Sequence, residues 1–212
     1  MSRPSENPVT TPAAGFPHPV PEFSPEQRKL LLVLAHQAIA SKIAGQQLPV
    51  NPPSNVPSSV WTPLQQPRGV FATLHQRGEL RGCVGYAAPI RPLVQAVAET
   101  ACAAAFDDSR FRPVTADEAL DLKISLSVLS ELFPIDPARV EVGRHGLVIS
   151  GGMRRGLLLP QVPVEHGWDR EAFLEQTCRK AGLPTDAWRH SATIEAFVAE
   201  VFSDDELGAE GR

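Results

Sequence analysis

The chain has 212 residues, 42% hydrophobic and 21% charged, with a formal net charge of -4. That length and balance suit one large or two small globular domains able to bury a core without disulfides or a structural metal, and the acidic excess argues against a general nucleic-acid binder, which needs a cationic surface to displace counterions. No apolar run approaches the roughly 20 residues of a membrane-spanning helix, no apolar leader follows Met1, and an odd number of cysteines makes no disulfide framework, so the expected setting is a reducing cytoplasm with free thiols.

In chain order, residues 1–23 carry Pro4, Pro8, Pro12, Pro17, Pro19 and Pro21 among few large apolar side chains and read as a disordered arm. Ser24-Pro25-Glu26-Gln27 opens a helix, with Ser24 as N-cap, Pro25 at the first helical position and Gln27 closing a capping box. Leu30, Leu31, Leu34, Ala35, Ala38 and Ile39 follow at helical spacing, and Gly45 ends the run. The prolines from Pro49 to Pro67 predict a long irregular loop anchored by Val56, Val60, Trp61 and Leu64. Residues 69–74 and 79–86 read as hairpin strands around His75-Gln76-Arg77-Gly78. Pro92 starts a helix with an apolar stripe through Val94, Val97, Ala101 and Cys102, and Thr115 with Glu118 marks a short capped turn. Residues 122–128 alternate with period two and form the clearest strand. After breaks at Pro134 and Pro137, residues 146–150 and 155–159 read as strands about Gly151-Gly152. Asp169 caps a helix carrying Phe173, Leu174 and Cys178, which Gly182 and Pro184 stop. Residues 192–202 fit strand or helix, and the acidic stretch 204–212 reads as a frayed tail.

Chemistry concentrates in Leu80-Arg81-Gly82-Cys83-Val84-Gly85. Strict strand alternation points Leu80, Val84 and Tyr86 into a core and Arg81 and Cys83 together to the other side. A guanidinium beside a thiol favours the thiolate, and Gly82 and Gly85 strip side chains from its surroundings, as where a ligand or another backbone comes close. A free cysteine is more often a small buried hydrophobe, which is the expectation for Cys102 and Cys178 on their apolar helix stripes. No CxxC or HxxxH spacing occurs, so no dedicated metal site is expected, and no nucleotide fingerprint or GxSxG element points to a cofactor. Asp108 and Arg110 could clamp a ligand from the turn after the alanine-rich helix, and Arg155 could meet an anion from its hairpin.

These residues resemble the AMMECR domain family. The resemblance rests on the hexapeptide, with Val84 where isoleucine is more usual, on Asp108-Ser109-Arg110-Phe111-x-Pro113-Val114-Thr115, on the strand from Ile124 to Leu129, on Arg154-Arg155-Gly156 through Pro160-Gln161-Val162, and on Cys178-Arg179-Lys180-Ala181-Gly182-Leu183-Pro184. It spans about residues 24–203, and the chain is similar to the bacterial versions called AmmeMemoRadiSam system protein A. The resemblance implies an α+β fold of two domains, each with an antiparallel β-sheet and flanking helices, and a cleft between them faced by the hexapeptide. The larger domain would take residues 24–133 plus 191–203 and the smaller, inserted one residues 134–190. The family's biochemical activity is unsettled; the resemblance implies association with a Memo-like protein and a radical SAM protein.

Two functions compete. In one, Cys83 is a catalytic nucleophile or redox thiol, with Arg81 lowering its pKa and holding an anionic group. In the other, favoured here, the cleft grips a peptide, a partner protein or a sizeable substrate as an accessory component, using Leu80, Arg81, Gly82, Cys83, Val84, Gly85, Asp108, Arg110 and Arg155. No general base or cofactor loop stands beside Cys83 in the sequence.

Overall fold

A computed structural model describes residues 22–48, 51, 53 and 56–209. Most of the expected arm (1–21), parts of the proline loop and the end of the tail (210–212) lie outside them. Helix α1 (Pro25–Ile43) begins as expected: the Ser24 hydroxyl accepts the Gln27 N–H at 3.2 Å and Gln27 Oε1 accepts the Ser24 N–H at 2.9 Å. Within the proline loop, Trp61 and Leu64 are buried on a helical turn α2 (Ser58–Trp61) and the 3₁₀ turn Thr62–Gln65 that continues it.

Strands β1 (Val70–Gln76) and β2 (Glu79–Tyr86) form a hairpin closed by Arg77 and Gly78 alone. Both have positive φ (53° and 85°), the handedness that matches strand twist in a two-residue turn. Helices α3 (Leu93–Phe106) and α4 (Ala116–Ala119) follow, then β3 (Leu122–Leu129). The chain next crosses into a second unit made of β4 (Phe133–Pro134), β5 (Gly146–Gly151), β6 (Arg154–Leu158), α5 (Gln161–Glu165), α6 (Arg170–Lys180) and β7 (Thr193–Phe197). It returns through β8 (Ala199–Ser203) and ends in α7 (Asp204–Ala209).

The structure is therefore α+β with two four-stranded antiparallel sheets, ordered β2-β1-β3-β8 and β4-β7-β5-β6. Alternation decides what each face meets. In the first sheet Val70, Ala72, Leu74, Ile124, Leu126 and Phe202 pack beneath α1 and α3. In the second, Leu147, Ile149 and Ala196 pack beneath Phe173, Leu174 and Cys178 of α6. The two faces without helices turn toward each other and meet in a third apolar cluster, where buried Leu129, Val148 and Phe197 join Phe71, Leu157 and Ala199.

Residues 192–202, ambiguous in sequence, are two strands in different sheets. Because β7 pairs with β4 and β5, the return crossing falls at Val198 rather than at residue 191. The two crossings lie side by side: the Ser130 N–H donates to the Val198 carbonyl at 2.9 Å and the Val198 N–H donates to Ser130 Oγ at 3.1 Å. Residues 204–209 form a helix rather than a frayed tail, since Asp204 Oδ2 accepts the Ile124 N–H at 2.7 Å and lies 2.9 Å from His36 Nε2. Among the described residues no helix is long and apolar enough to cross a membrane.

Candidate functional site

The hexapeptide lies on β2, an edge strand of the first sheet, and its inner half is irregular. The register slips where Leu74 faces Gly82 but His75 faces Leu80, leaving Arg81 as the extra residue of a β-bulge. The bulge breaks the alternation on which the sequence reading depended. Leu80 is exposed (41%) rather than in the core. Arg81 reaches α4, where its Nη2 donates to Glu118 Oε2 at 3.1 Å and its Nε to Glu118 Oε1 at 3.4 Å. Glu118 also closes the Thr115 capping box, and those hydrogen bonds, then Arg81, hold its carboxyl below the usual range.

Beyond the bulge the pattern is regular. Gly82 faces the helical layer: a side-chain carbon there would overlap the Ala104 carbonyl oxygen of α3 and lie 3.0 Å from its carbon. Cys83 turns the other way, opposite Thr73, and its Sγ lies 3.4 Å from Thr73 Oγ1. Its backbone edge is covered by two side chains. The Cys83 N–H donates to Asp108 Oδ2 at 2.9 Å, while Arg110 Nη2 donates to the Cys83 carbonyl at 3.4 Å and to Asp108 Oδ2 at 2.7 Å. Asp108 and Arg110 thus supply the acceptor and donor that a neighbouring strand would, closing an exposed sheet edge. Arg110, and after it the Cys83 N–H, holds the Asp108 carboxyl far below the usual carboxylate range. Gly85 lies where β1 and β2 come close; a side-chain carbon there would sit 2.5 Å from the Phe71 Cα.

Above this face lies a cavity of about 890 Å³ between the two units. Phe71, Thr73, Cys83, Gly85, Ser127 and Val201 form its floor, and Arg144, Leu159, Pro160, Gln161, Val164 and Glu165 its far wall. Cross-strand pairing accounts for the floor: Thr73 stands between Cys83 and Ser125, and Phe71 between Gly85 and Ser127, with Val201 next in that row. Of the candidate residues, Cys83, Val84 and Gly85 border the cavity; Leu80, Arg81, Gly82, Asp108, Arg110 and Arg155 do not. Arg155 is largely exposed on β6, 3.9 Å from Glu195. Sequence reasoning missed Arg144, Gln161 and Glu165. The Pro160-Gln161-Val162 block carried only the family resemblance, with no helix expected at α5, and nothing in the sequence singles out Arg144, whose Nη1 pairs with Glu141 at 3.1 Å.

All three cysteines are free. Cys102 and Cys178 are buried, as expected from their helix stripes, and burial pushes the Cys102 thiol up to about 11. His145, buried beside the cavity wall, accepts the Glu141 N–H on Nδ1 at 3.0 Å, and burial lowers its pKa. Among the described residues no group of three or more His, Cys, Asp or Glu could hold a metal ion.

Two sheets, each with helices on its outer face, enclosing a cleft floored in part by Cys83 and Gly85 of the edge strand, define the class of protein. The chain belongs to the AMMECR1 family, whose pattern matches residues 32–202. It is 41% identical over 192 residues to Protein TK0174 of Thermococcus kodakarensis, covering 85% of this chain and 91% of that one. A protein of Methanothermobacter thermautotrophicus is 40% identical over 191 residues, covering 86% and 97%. The crystal structure of the uncharacterized protein PH0010 from Pyrococcus horikoshii superposes with a TM-score of 0.67 at 39% identity, covering 86% of this chain and 94% of that one.

Proposed function

We propose that this protein is a binding component that grips a polypeptide segment of a partner in the interdomain cleft, acting alongside Memo-like and radical SAM proteins. One observation carries this reading: the cavity is of ligand-binding size, its walls are mainly apolar, and a few polar groups (the Thr73 and Ser127 hydroxyls, the Cys83 thiol, the Gln161 amide and the charged Arg144 and Glu165) stand among them to orient an occupant. The thiol on its floor has a neutral hydroxyl, Thr73, as its side-chain partner. Arg81 is paired with Glu118, and Asp108 and Arg110 pair with each other and bond the Cys83 backbone.

The test is capture of the purified Memo-like and radical SAM proteins from the same genome by immobilised wild type and by Ser127→Trp, which fills the floor. Capture of either by wild type and its loss in the variant is expected; capture of neither, or equal capture by both forms, removes the reading. A catalytic thiol is the second reading, supported by Cys83 being the one cysteine of the three that borders the cavity. Retained cellular function in Cys83→Ser would eliminate it.

A further inference from the structure

Arg144 borders not only the interdomain cavity but also a depression of about 600 Å³ on the second unit, with Phe133, Arg139 and Arg170 on its walls. That depression shares Asp136, Ala138 and Arg170 with another of about 440 Å³ beside Trp188 and Arg189. The two depressions form a track across the inserted unit, and Arg144 stands between that track and the cleft.

The track differs in charge from the rest of this chain, whose net charge is -4. Its arginines are Arg139, Arg144, Arg170 and Arg189, and its acids are Asp136, Glu141 and Glu171. Glu141 is paired with Arg144 and Glu171 with Arg189, while Asp136 caps a turn by accepting the Ala138 N–H at 2.8 Å. Arg170 donates only to a backbone carbonyl, that of Ala138, and Arg139 makes no ion pair among the described residues. Two cationic groups thus face the track without a carboxylate partner. Arg170 is, moreover, the first residue of α6, where the helix dipole disfavours a cation, so its position is not explained by helix stability. At the junction, Arg144 Nε is buried without an acceptor. Apolar surface alternates with these charges: Phe133 is 36% exposed on the track, and Val164 is 59% exposed at the cavity wall.

We infer that the occupant of the cleft is an acidic polypeptide segment in extended conformation, whose apolar side chains enter the cleft and whose carboxylates meet Arg144, Arg139 and Arg170 along the track. This rests on the reading of the cleft as a polypeptide site. A nucleic acid fits less well, because four arginines against three carboxylates neutralise too few phosphates.

The test uses fluorescein-labelled decapeptides of alternating aspartate and leucine, with asparagine and lysine analogues, titrated by anisotropy. Wild type should bind the acidic peptide about tenfold more tightly than the asparagine one, with the preference shrinking as salt rises. Arg139→Glu/Arg170→Glu should cut that preference by about threefold or more, and an undiminished preference would overturn the track. Both side chains are exposed, and a glutamate at the start of α6 suits the helix dipole, so the fold should persist. Ser127→Trp should weaken all peptides that bind. If wild type binds the three peptides equally and Ser127→Trp weakens them all, the acidic track is wrong and the cleft reading stands. If Ser127→Trp weakens none, the cleft reading fails and the site spanning cleft and track fails with it.

Discussion

Replacing Gly82 by alanine tests what the glycine in the hexapeptide is for. In the structure a methyl group at this position would not enter the cleft; it would overlap the Ala104 carbonyl oxygen and sit 3.0 Å from the carbonyl carbon. That oxygen is helical backbone, which cannot rotate away as a side chain could. Relief requires α3 to move off β2 by roughly 1 Å, loosening a face on which Val97, Ala101 and Ala104 are fully or almost fully buried. Overpacking costs about 1–3 kcal/mol and occasionally more, with unyielding backbone at the upper end, a sizeable part of the roughly 5–15 kcal/mol by which a native protein is stable.

For a protein of this size about 3 kcal/mol corresponds to a fall in melting temperature of roughly 6–12 °C, readable by calorimetry. Gly78→Ala is the control. That glycine has φ 85° in the hairpin turn with nothing within 4 Å of the added carbon, so only the left-handed backbone penalty of about 1–2 kcal/mol applies. A Gly82→Ala protein that melts within a degree or two of wild type but no longer captures its partner would refute the packing argument and return Gly82 to the binding surface.

Three further outcomes follow from the same geometry. The Asp108 carboxyl is held low in the folded protein, so its contribution is complete above the ordinary carboxyl value of about 4 and is lost as pH falls below it; Asp108→Asn should melt lower than wild type at pH 7, with the gap closing in melts run toward pH 3. His145 is shifted downward, so unfolding takes up a proton below about pH 6.5 and stability declines there on acidification; an imidazole titration by NMR should place His145 below the ordinary imidazole value of about 6.5, and a value at or above it would contradict its buried, acceptor role. Native protein should release one rapid equivalent in a thiol assay with a disulfide reagent and three after denaturation, since Cys102 and Cys178 are buried; loss of the rapid phase in Cys83→Ser would assign it.

The elements written in local chemistry were legible in the sequence: the Ser24 and Thr115 capping boxes, the Asp169 cap, the alternation of 122–128 and the apolar stripe of α3 all stand where the residues put them. What failed depended on non-local pairing. Period two does not say which sheet a strand joins, so residues 193–197 could not be assigned to the second sheet, and the crossing at Val198 was invisible. A bulge is a property of two strands rather than one, so the exposure of Leu80 and the turning of Arg81 toward Glu118 could not be read from β2 alone. Half of the cleft wall was missed for the same reason: Arg144 and Gln161 line the same cavity as Cys83 only through the packing of one unit on the other.

The second unit repeats the device of the first. Gly156 on β6 faces α6, and a side-chain carbon there would lie 2.7 Å from the Ala181 Cα, just as one at Gly82 would strike α3. Both glycines stand in blocks on which the family resemblance rests, and both admit the C-terminal end of a helix onto an edge strand. The most recognisable residues therefore divide by role. Gly82 and Gly156 let helices close on edge strands, and Asp108, Arg110 and Arg81 bond the β2 edge and α4, whereas Cys83, Thr73, Ser127, Arg144 and Gln161 line the cleft. Because those residues come from two units joined by adjacent crossings at Ser130 and Val198, the cleft's width depends on the apolar seam of Leu129, Val148 and Phe197. Val148 and Phe197 belong to that seam but do not line the cavity, so Val148→Ala or Phe197→Leu should change partner capture by the immobilised protein without touching the occupant, and unchanged capture would separate the cleft from the seam.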